Sequence, residues 1–271
     1  MAFLPPTSLA WRLWRRLVRT QVSYFAVPEV MPDADVLKLC DLPVPYPGVY
    51  NHYRPTIQID LSQSEDVLFK ALAPAVHKAI RQAARGGIVI ETLDEISEDV
   101  WDAFLSAHQK LRQRKPMAGA LGVGQVRDLM KMGAYELSRS RDGEGNILSW
   151  HSYVVTHGRA RLQTTMADLD PAQGSVWNNH VGRAHRLHHW KDILRYKARG
   201  LALYDFGGVY RGKDDPEQMQ IAYFKQLFGG VFADTYDAVI PLSRKGRLAL
   251  SLVSHVSAES RAGGRVIGAH A

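Results

Sequence analysis

Three strand-like segments joined by two short turns lie in the middle of the chain, and they restrict the possible folds more than any other feature. They cover residues 135–140, 147–155 and 160–166. The turns contain Asp142-Gly143 and His157-Gly158, residue types that favour tight reversals of the chain. Because so short a connection joins antiparallel neighbours, the three segments are predicted to form an antiparallel meander.

Helix and strand patterns alternate on both sides of this meander. Before it, we predict a strand at 56–60, a helix from Ser62 to Ala83 that Pro74 kinks, a strand at 88–90, and helices at 97–114 and 126–132. After it, we predict a helix at 176–198, a strand at 201–206, a helix at 218–227 and a strand at 233–241. This order predicts an α/β (α+β) fold with a mixed, mostly antiparallel sheet flanked by helices.

The composition is that of a chain that folds around its own core. Hydrophobic residues make up 46% and charged residues 23% of the 271 positions, which excludes a mainly disordered or collagen-like protein. The single cysteine, Cys40, excludes an internal disulfide and favours a reducing compartment. We interpret Cys40 as a buried thiol, with a nucleophile as the alternative. The proline-rich residues 28–55 are predicted to be an extended connection.

The net charge of +7 is concentrated at the two ends of the chain. Residues 1–28 contain four arginines and no acid, and residues 244–271 contain five basic residues and one acidic residue. Residues 29–243 are almost neutral, with 25 basic and 26 acidic side chains. We therefore predict a basic N-terminal helix within 1–28, a folded domain over 29–243 and a basic tail over 244–271.

The N-terminal segment is predicted to be an amphipathic helix. With Ser8 as the N-cap, the apolar residues as far as Val18, two tryptophans among them, fill one arc and the four arginines fill the other. Such a helix suits the headgroup region of a membrane, so residues 8–19 are predicted to contact a membrane surface. The alternative is that the apolar side packs on the protein itself. No transmembrane helix or secretory signal is predicted.

Short motifs in the second half of the chain carry a resemblance to a known family. They are Tyr204-Asp205-Phe206-Gly207-Gly208, Phe224-Lys225 and Phe228-Gly229-Gly230, with Arg199-Gly200 before them and the helix-to-strand segment 80–89 earlier in the chain. Over residues 56–242 the chain resembles the peptidoglycan-bridge aminoacyltransferases of the FemA, FemB and FemX type. It departs from them in being too short for two full halves and in having His77 where an arginine is expected.

This resemblance implies a fold and a type of reaction. The fold is that of the GNAT acyltransferases, in which a splayed sheet holds an acyl donor between its middle strands. The reaction is transfer of an acyl or aminoacyl group to an amine, with aminoacyl-tRNA as donor in the best-known members.

Two residues are expected to be catalytic. Acyl transfer to an amine passes through a tetrahedral oxyanion and releases an amine proton. Lys225 is expected to stabilise the oxyanion, and the alternative is a solvated surface lysine. Asp205, at the end of a buried strand, is expected to orient or deprotonate the amine, and the alternative is that it binds the backbone of the next turn.

The expected substrate-binding residues are Arg81, Gly207, Gly208, Tyr210, Tyr223 and Phe224. The two glycines permit a positive φ or a close approach of substrate. Tyr210 and Tyr223 are candidates to relay a proton, whereas strand alternation turns Tyr204 away from Asp205. Arg81 is expected to meet an anionic part of the donor or acceptor.

A six-residue pattern in the long predicted helix suggests a second kind of donor. Asn179-His-Val-Gly182-Arg183-Ala184 is a degraded form of the loop with which coenzyme A-dependent GNAT enzymes hold a pyrophosphate at a helix N-terminus. If it is used, the donor is an acyl thioester of coenzyme A or acyl-carrier protein, and Arg183 contacts a phosphate. No bound cofactor is expected, because the activated donor is a co-substrate.

No metal site is assigned from the sequence. His185 and His189 are one helical turn apart and share a face of the long helix. A zinc site needs a third ligand, which no motif supplies. The acidic run from Asp214 to Glu217 is interpreted as a turn and a helix N-terminus.

The leading hypothesis is a cytoplasmic N-acyltransferase that moves an aminoacyl or acyl group from an activated donor, charged tRNA or acyl thioester, to an amine of a cell-envelope precursor. A peripheral position on the inner face of the membrane is left open, because the amphipathic start suits a lipid-linked acceptor. One alternative is a GNAT N-acyltransferase that uses acyl-CoA or acyl-carrier protein. Another is a non-catalytic, membrane-docked protein of envelope assembly.

Overall fold

A computed structural model describes residues 17–93, 95–114 and 122–251. The described chain divides into two compact units, one made of residues 17–54 and 234–251 and a larger one within residues 55–233. Both units lie mostly within the predicted domain at 29–243. The predicted amphipathic helix lies largely outside the described residues, but Thr20–Tyr24, within the segment 1–28, forms a strand. Of the predicted tail, residues 244–251 are described and are helical.

The strands are, in chain order, β1 (Thr20–Tyr24), β2 (Val36–Leu42), β3 (Asn51–Tyr53), β4 (Thr56–Asp60), β5 (Val89–Leu93), β6 (Tyr135–Arg141), β7 (Ile147–Thr156), β8 (Arg159–Ala167), β9 (Leu203–Gly208), β10 (Val231–Ala233) and β11 (Tyr236–Pro241). The helices are α1 (Glu65–Ala71), α2 (Pro74–Arg85), α3 (Glu98–Arg114), α4 (Val123–Lys131), α5 (Gly174–Ala198) and α6 (Pro216–Gln226). A short 3₁₀ turn, Pro171–Gln173, precedes α5. Among the helices of the described ranges, none is long and apolar enough to cross a membrane.

The smaller unit is a four-stranded sheet in the order β1-β2-β11-β3. Strands β1 and β2 are parallel, and β11 is antiparallel to both of its neighbours. The prediction of an extended connection at 28–55 is therefore wrong where β2 and β3 form. Six of the seven residues of β2 are buried, including Cys40, so this strand has no alternating polarity to reveal it.

The larger unit has a seven-stranded sheet in the order β10-β4-β9-β8-β7-β6-β5. Strands β6, β7 and β8 form the predicted antiparallel meander. The long helix α5 follows the meander, and its buried apolar residues, Leu187 and Ile193 among them, pack in the same core as Tyr153 of β7 and Tyr204 of β9. The fold class is thus as predicted, and within residues 56–242 the elements follow one another as predicted except where two of them are divided.

Two predicted elements are each divided in the structure. The helix predicted from Ser62 to Ala83 is two helices, with Ser64 as the N-cap of α1 through a hydrogen bond from Val67 N to its Oγ at 3.3 Å. Pro74 begins α2, where its missing N–H costs no hydrogen bond. The strand predicted at 233–241 is two strands in the structure. Strand β10 belongs to the seven-stranded sheet, and β11 belongs to the four-stranded sheet.

Candidate active site

The sheet of the larger unit opens between β8 and β9. These parallel strands are paired from Arg159–Leu203 to Arg161–Asp205, and beyond those pairs β8 continues to Ala167 and β9 to Gly208. At the opening, the register of β8 against β7 shifts so that Gln163 is one extra residue in β8. Such a bulge bends and twists the strand, which favours divergence of β8 and β9 beyond their last pair, Arg161–Asp205. We call this opening the cleft.

Gly207 lies at the start of the cleft, and its position requires glycine. Its φ is +67°, and a Cβ on it would lie 2.7 Å from the carbonyl oxygen of Leu162 in β8. A side chain there would meet both an unfavourable backbone conformation and a direct clash. The positive φ expected for this glycine is therefore present, and its close neighbour is β8. The expected close approach of substrate stays a prediction.

Asp205 binds the turn that follows it. Its side chain is buried, and Oδ1 accepts hydrogen bonds from the Thr56 hydroxyl and from Gly207 N, the latter at 2.7 Å. Oδ2 accepts one from Gln58 Nε2 at 2.9 Å and lies 3.9 Å from Arg159 Nη1. Both oxygens are thus occupied by β4, β8 and the turn. This geometry favours the alternative in which Asp205 binds backbone over direct proton removal from an amine.

Lys225 holds the same turn from the opposite side. It is 9% exposed, and its Nζ donates to the carbonyl oxygens of Gly208 at 2.6 Å and Gly207 at 3.4 Å. The alternative of a solvated surface lysine is wrong. A buried lysine therefore binds the backbone at the end of β9, where β9 is no longer paired with β8.

The other predicted substrate residues in this region lie at different depths. Phe224 is partly buried, and its ring stacks on that of His185 at a centroid distance of 5.2 Å. Tyr223 is 64% exposed. The Tyr210 hydroxyl donates a hydrogen bond to Asp214. Tyr204 points away from the cleft, as strand alternation predicts, into the core between the sheet and α5.

Arg81 lies on an exposed basic stripe of α2. Lys78, Arg81 and Arg85 are spaced by three and four residues, which places them on one face of the helix, and all three are exposed. The neighbouring His77 has a local structural role, since its ring stacks on Phe69 at 4.4 Å and its Nε2 hydrogen-bonds the Phe69 carbonyl at 2.8 Å. The stripe is therefore three cations facing solvent.

The predicted pyrophosphate loop is wrong in its position. Asn179, Gly182 and Arg183 lie inside α5, which begins at Gly174, and the backbone N–H groups of the second and third turns are used within a helix. The Gly182 carbonyl also accepts a hydrogen bond from Arg186 Nη1 at 2.8 Å. The pattern therefore does not present free N–H groups to a phosphate.

The fold also assembles a buried polar cluster that was not predicted. His151 of β7 lies against His185, His188, His189 and Asp192 of α5. The signal was present in two separate patterns. On α5 the four residues recur at helical spacing, and on β7 Ser149, His151 and Tyr153 alternate as one strand face does. Only the packing of β7 against α5 joins the two patterns.

Burial determines the protonation of this cluster. It lowers the pKa of His151, His188 and His189 well below the ordinary value. Neighbouring imidazoles and cations lower these pKa values further, whereas the Asp192 carboxylate opposes the shift of His188. Burial lowers the pKa of His185 to about 3. The imidazoles are therefore neutral at pH 7, since charging them would require desolvation of the cation.

No protein-family model matches this chain, and no curated protein matches its sequence. Solved structures do match it. The crystal structure of FemX aligns with 69% of this chain at a TM-score of 0.53 and 12% identity, and the match covers 62% of the FemX chain, less than two thirds of its length. The structure of L-PGS from Bacillus licheniformis aligns with 81% of this chain at a TM-score of 0.50 and 11% identity, and the match covers 72% of that chain.

At these identities the likeness is one of fold. It confirms the resemblance to FemX that the motifs indicated, and it agrees with the meander, the long helix and the diverging strands described above. The chain therefore has a GNAT-like fold, with a mixed, mostly antiparallel sheet flanked by helices.

Proposed function

We propose that this chain is an N-acyltransferase that moves an aminoacyl group from aminoacyl-tRNA to an amine of a cell-envelope precursor. The observation that carries the proposal is the cleft between β8 and β9 with the Lys225 ammonium at its start. The shared fold with FemX and L-PGS supports the same reaction type. The identity of donor and acceptor is part of the proposal.

In this reaction the donor lies with its ester carbonyl in the cleft. The acceptor nitrogen attacks the carbonyl carbon and forms the C–N bond. The tetrahedral intermediate then collapses as the ester C–O bond breaks, and the departing oxygen takes up the proton that the amine loses, directly or through solvent. Negative charge develops on the carbonyl oxygen in between. Lys225 lowers the energy of that oxyanion through its positive charge, in a partly desolvated position where charge interactions are strong.

Asp205 acts in this proposal as a positioning residue. It binds Gly207 N while Lys225 binds the carbonyl groups of Gly207 and Gly208. The two side chains thus fix the backbone of one turn at the edge of the cleft. This arrangement holds the ammonium in place before the donor binds, which lowers the reorganisation needed in the transition state.

The choice of tRNA as donor rests on charge. The basic stripe of Lys78, Arg81 and Arg85 on α2 suits a phosphate backbone, because evenly spaced cations bind polyanions without reading sequence. The pattern that favoured acyl-CoA lies inside α5, where its backbone N–H groups are not at a helix N-terminus and so are not available to a pyrophosphate. Acyl-CoA as donor and a non-catalytic role are therefore the two alternatives that the following test distinguishes from the proposal.

The proposal is tested by mass spectrometry of acceptor molecules. The full chain is incubated with amine-bearing envelope precursors, in one arm with charged tRNA and in the other with a mixed acyl-CoA pool. A mass gain of one aminoacyl group with charged tRNA is expected. A gain with acyl-CoA alone would contradict the donor, and no gain in either arm would favour the non-catalytic alternative.

Replacement of Lys225 tests the mechanism. We expect Lys225→Met to lower turnover by about 100-fold or more, as loss of an oxyanion-stabilising group does in other acyl transfers. Lys225→Arg keeps the charge and should restore part of the rate. Lys131→Met, at an exposed lysine of α4, is the matched control and should leave turnover unchanged. Wild-type turnover in a folded Lys225→Met protein would remove Lys225 from the mechanism.

A further inference from the structure

Three histidines of the buried cluster have the arrangement of metal ligands. Ligand nitrogens of His151, His185 and His189 all lie within 4.8 Å of one another. Two of them are on one helical face a turn apart, and the third comes from the facing strand β7. One nitrogen from each of three imidazoles on two elements is thus grouped as the ligands of one metal ion are.

Each of these rings has one nitrogen held by another group. His151 Nδ1 lies 2.8 Å from Asp192 Oδ2, His189 Nδ1 lies 3.0 Å from the Tyr204 hydroxyl, and His185 Nε2 lies 2.7 Å from Thr165 Oγ1. Because a carboxylate can only accept, His151 carries its proton on Nδ1, and its Nε2 has a lone pair. Metal-binding histidines are oriented in this same way by carboxylates and hydroxyls.

The other nitrogens of His151 and His189 have no hydrogen-bond partner among the described residues 17–93, 95–114 and 122–251. Both Nε2 atoms are fully buried, and both residues are about 1% exposed or less. A buried imidazole nitrogen without a partner costs free energy, so a native protein normally satisfies it. The two orphaned atoms belong to the same three-histidine group, so a single ion would satisfy both.

We propose that His151, His185 and His189 bind one divalent transition-metal ion of the zinc class. Imidazole nitrogens are ligands that Zn²⁺, Co²⁺, Ni²⁺ and Cu²⁺ accept readily, and three of them form a common protein site for zinc. The Asp192 carboxylate is hydrogen-bonded to His151 and so places a negative charge next to the ligands. The ion would join β7 to α5 behind the cleft, a role independent of the proposed transferase reaction.

The first test measures metal content and Co²⁺ spectra on the full chain. Protein stripped with a chelator is loaded with Zn²⁺, desalted and analysed for metal, and in parallel titrated with Co²⁺ while visible absorption is recorded. We expect the protein to retain about one Zn²⁺ per chain. We also expect an intense visible absorption band, which indicates Co²⁺ with a low coordination number. Wild-type protein that retains no Zn²⁺ and gives no Co²⁺ band would overturn the proposal.

Variants locate the ion. His189→Gln should abolish the Co²⁺ band, whereas His180→Gln, on the same helix and outside the group, should leave it unchanged. Tyr204→Phe keeps all three ligands and removes the hydroxyl that orients His189, so Zn²⁺ affinity should fall by about 10- to 100-fold. Undiminished binding in both folded His189→Gln and Tyr204→Phe would place the metal elsewhere and overturn the proposal. If His189→Gln does not fold, Tyr204→Phe and the wild-type spectrum decide.

Discussion

At the scale of single residues, Gly207 is a position that should tolerate substitution poorly. We expect Gly207→Ala to lower the free energy of unfolding by about 2 to 6 kcal/mol, since a positive φ and a Cβ overlap each cost about 1 to 3 kcal/mol. The overlap is with the Leu162 carbonyl oxygen, which belongs to a sheet strand and cannot move cheaply. Urea denaturation measures the change.

Gly143→Ala is the matched control for this substitution. Gly143 is in an exposed turn, and its φ is not in the left-handed region. A Cβ on it would meet no atom within 4 Å in the part of the chain that the structure describes. Its free energy of unfolding should change by no more than about 0.5 kcal/mol. Equal stability of the Gly207→Ala and Gly143→Ala proteins would show that the turn at Gly207 relaxes freely.

Residue identities near the cleft were partly predictable. Asp205, Gly207 and Lys225 lie in short local motifs, so the sequence could single them out. The partners that decide what Asp205 does, Thr56 and Gln58, are separated from it by 149 and 147 residues. Such contacts leave no local pattern, and the role of Asp205 therefore emerged only from the folded chain.

At the scale of elements, α5 makes the fold sensitive to acid. Above about pH 6.5 its cluster histidines are neutral both in the folded and in the unfolded chain. Below that pH the unfolded chain takes up protons that the folded chain excludes, because burial lowers the pKa of His151, His185, His188 and His189. Each histidine then lowers the free energy of unfolding by up to about 1.4 kcal/mol per pH unit.

The measurement is the urea midpoint of metal-free protein at pH 7.5, 6.5 and 5.5, with a chelator present. We expect a small change over the first interval and a steep fall over the second, modulated by Asp192 and Arg195, which face the same rings. His185→Gln removes one titrating group and should make the fall shallower. A midpoint at pH 5.5 equal to that at pH 7.5 would contradict the assignment of buried neutral imidazoles.

Element boundaries were predicted where capping residues mark them and missed where packing decides. The Ser97 hydroxyl accepts a hydrogen bond from Val100 N at 3.4 Å before α3, as expected. The start of α5 at Gly174 was placed two residues late, and the phosphate-loop interpretation of Asn179 depended on that region being a helix N-terminus. A strand buried on both faces, such as β2, shows no alternation and was missed.

At the scale of the whole molecule, the basic N-terminal segment predicts binding to anionic membranes. We expect the full chain to sediment with vesicles of anionic lipid, and substitution of Arg12, Arg15 and Arg16 by Gln to weaken binding about 100-fold, at about 1 kcal/mol for each arginine near the surface. Vesicle co-sedimentation at low and physiological salt measures this.

Two controls accompany the vesicle experiment. Vesicles of neutral lipid should bind less, because the arginines then contribute little. The second control replaces Arg261 and Arg265 of the basic C-terminal segment by Gln. It tests whether that segment also contributes to vesicle binding. Binding by the N-terminal variant equal to that of the unchanged chain would exclude membrane docking through residues 8–19.

The sequence by itself determined the order of helices and strands over residues 56–242, the antiparallel meander and the motif residues around the cleft. These depend on side-chain periodicity and turn residues, which are local properties of the chain. Tertiary structure alone decided which strands part at β8 and β9, which groups bind Asp205, and that His151 joins the histidines of α5. Those contacts join residues far apart in the sequence, and only the packing of one particular fold specifies them.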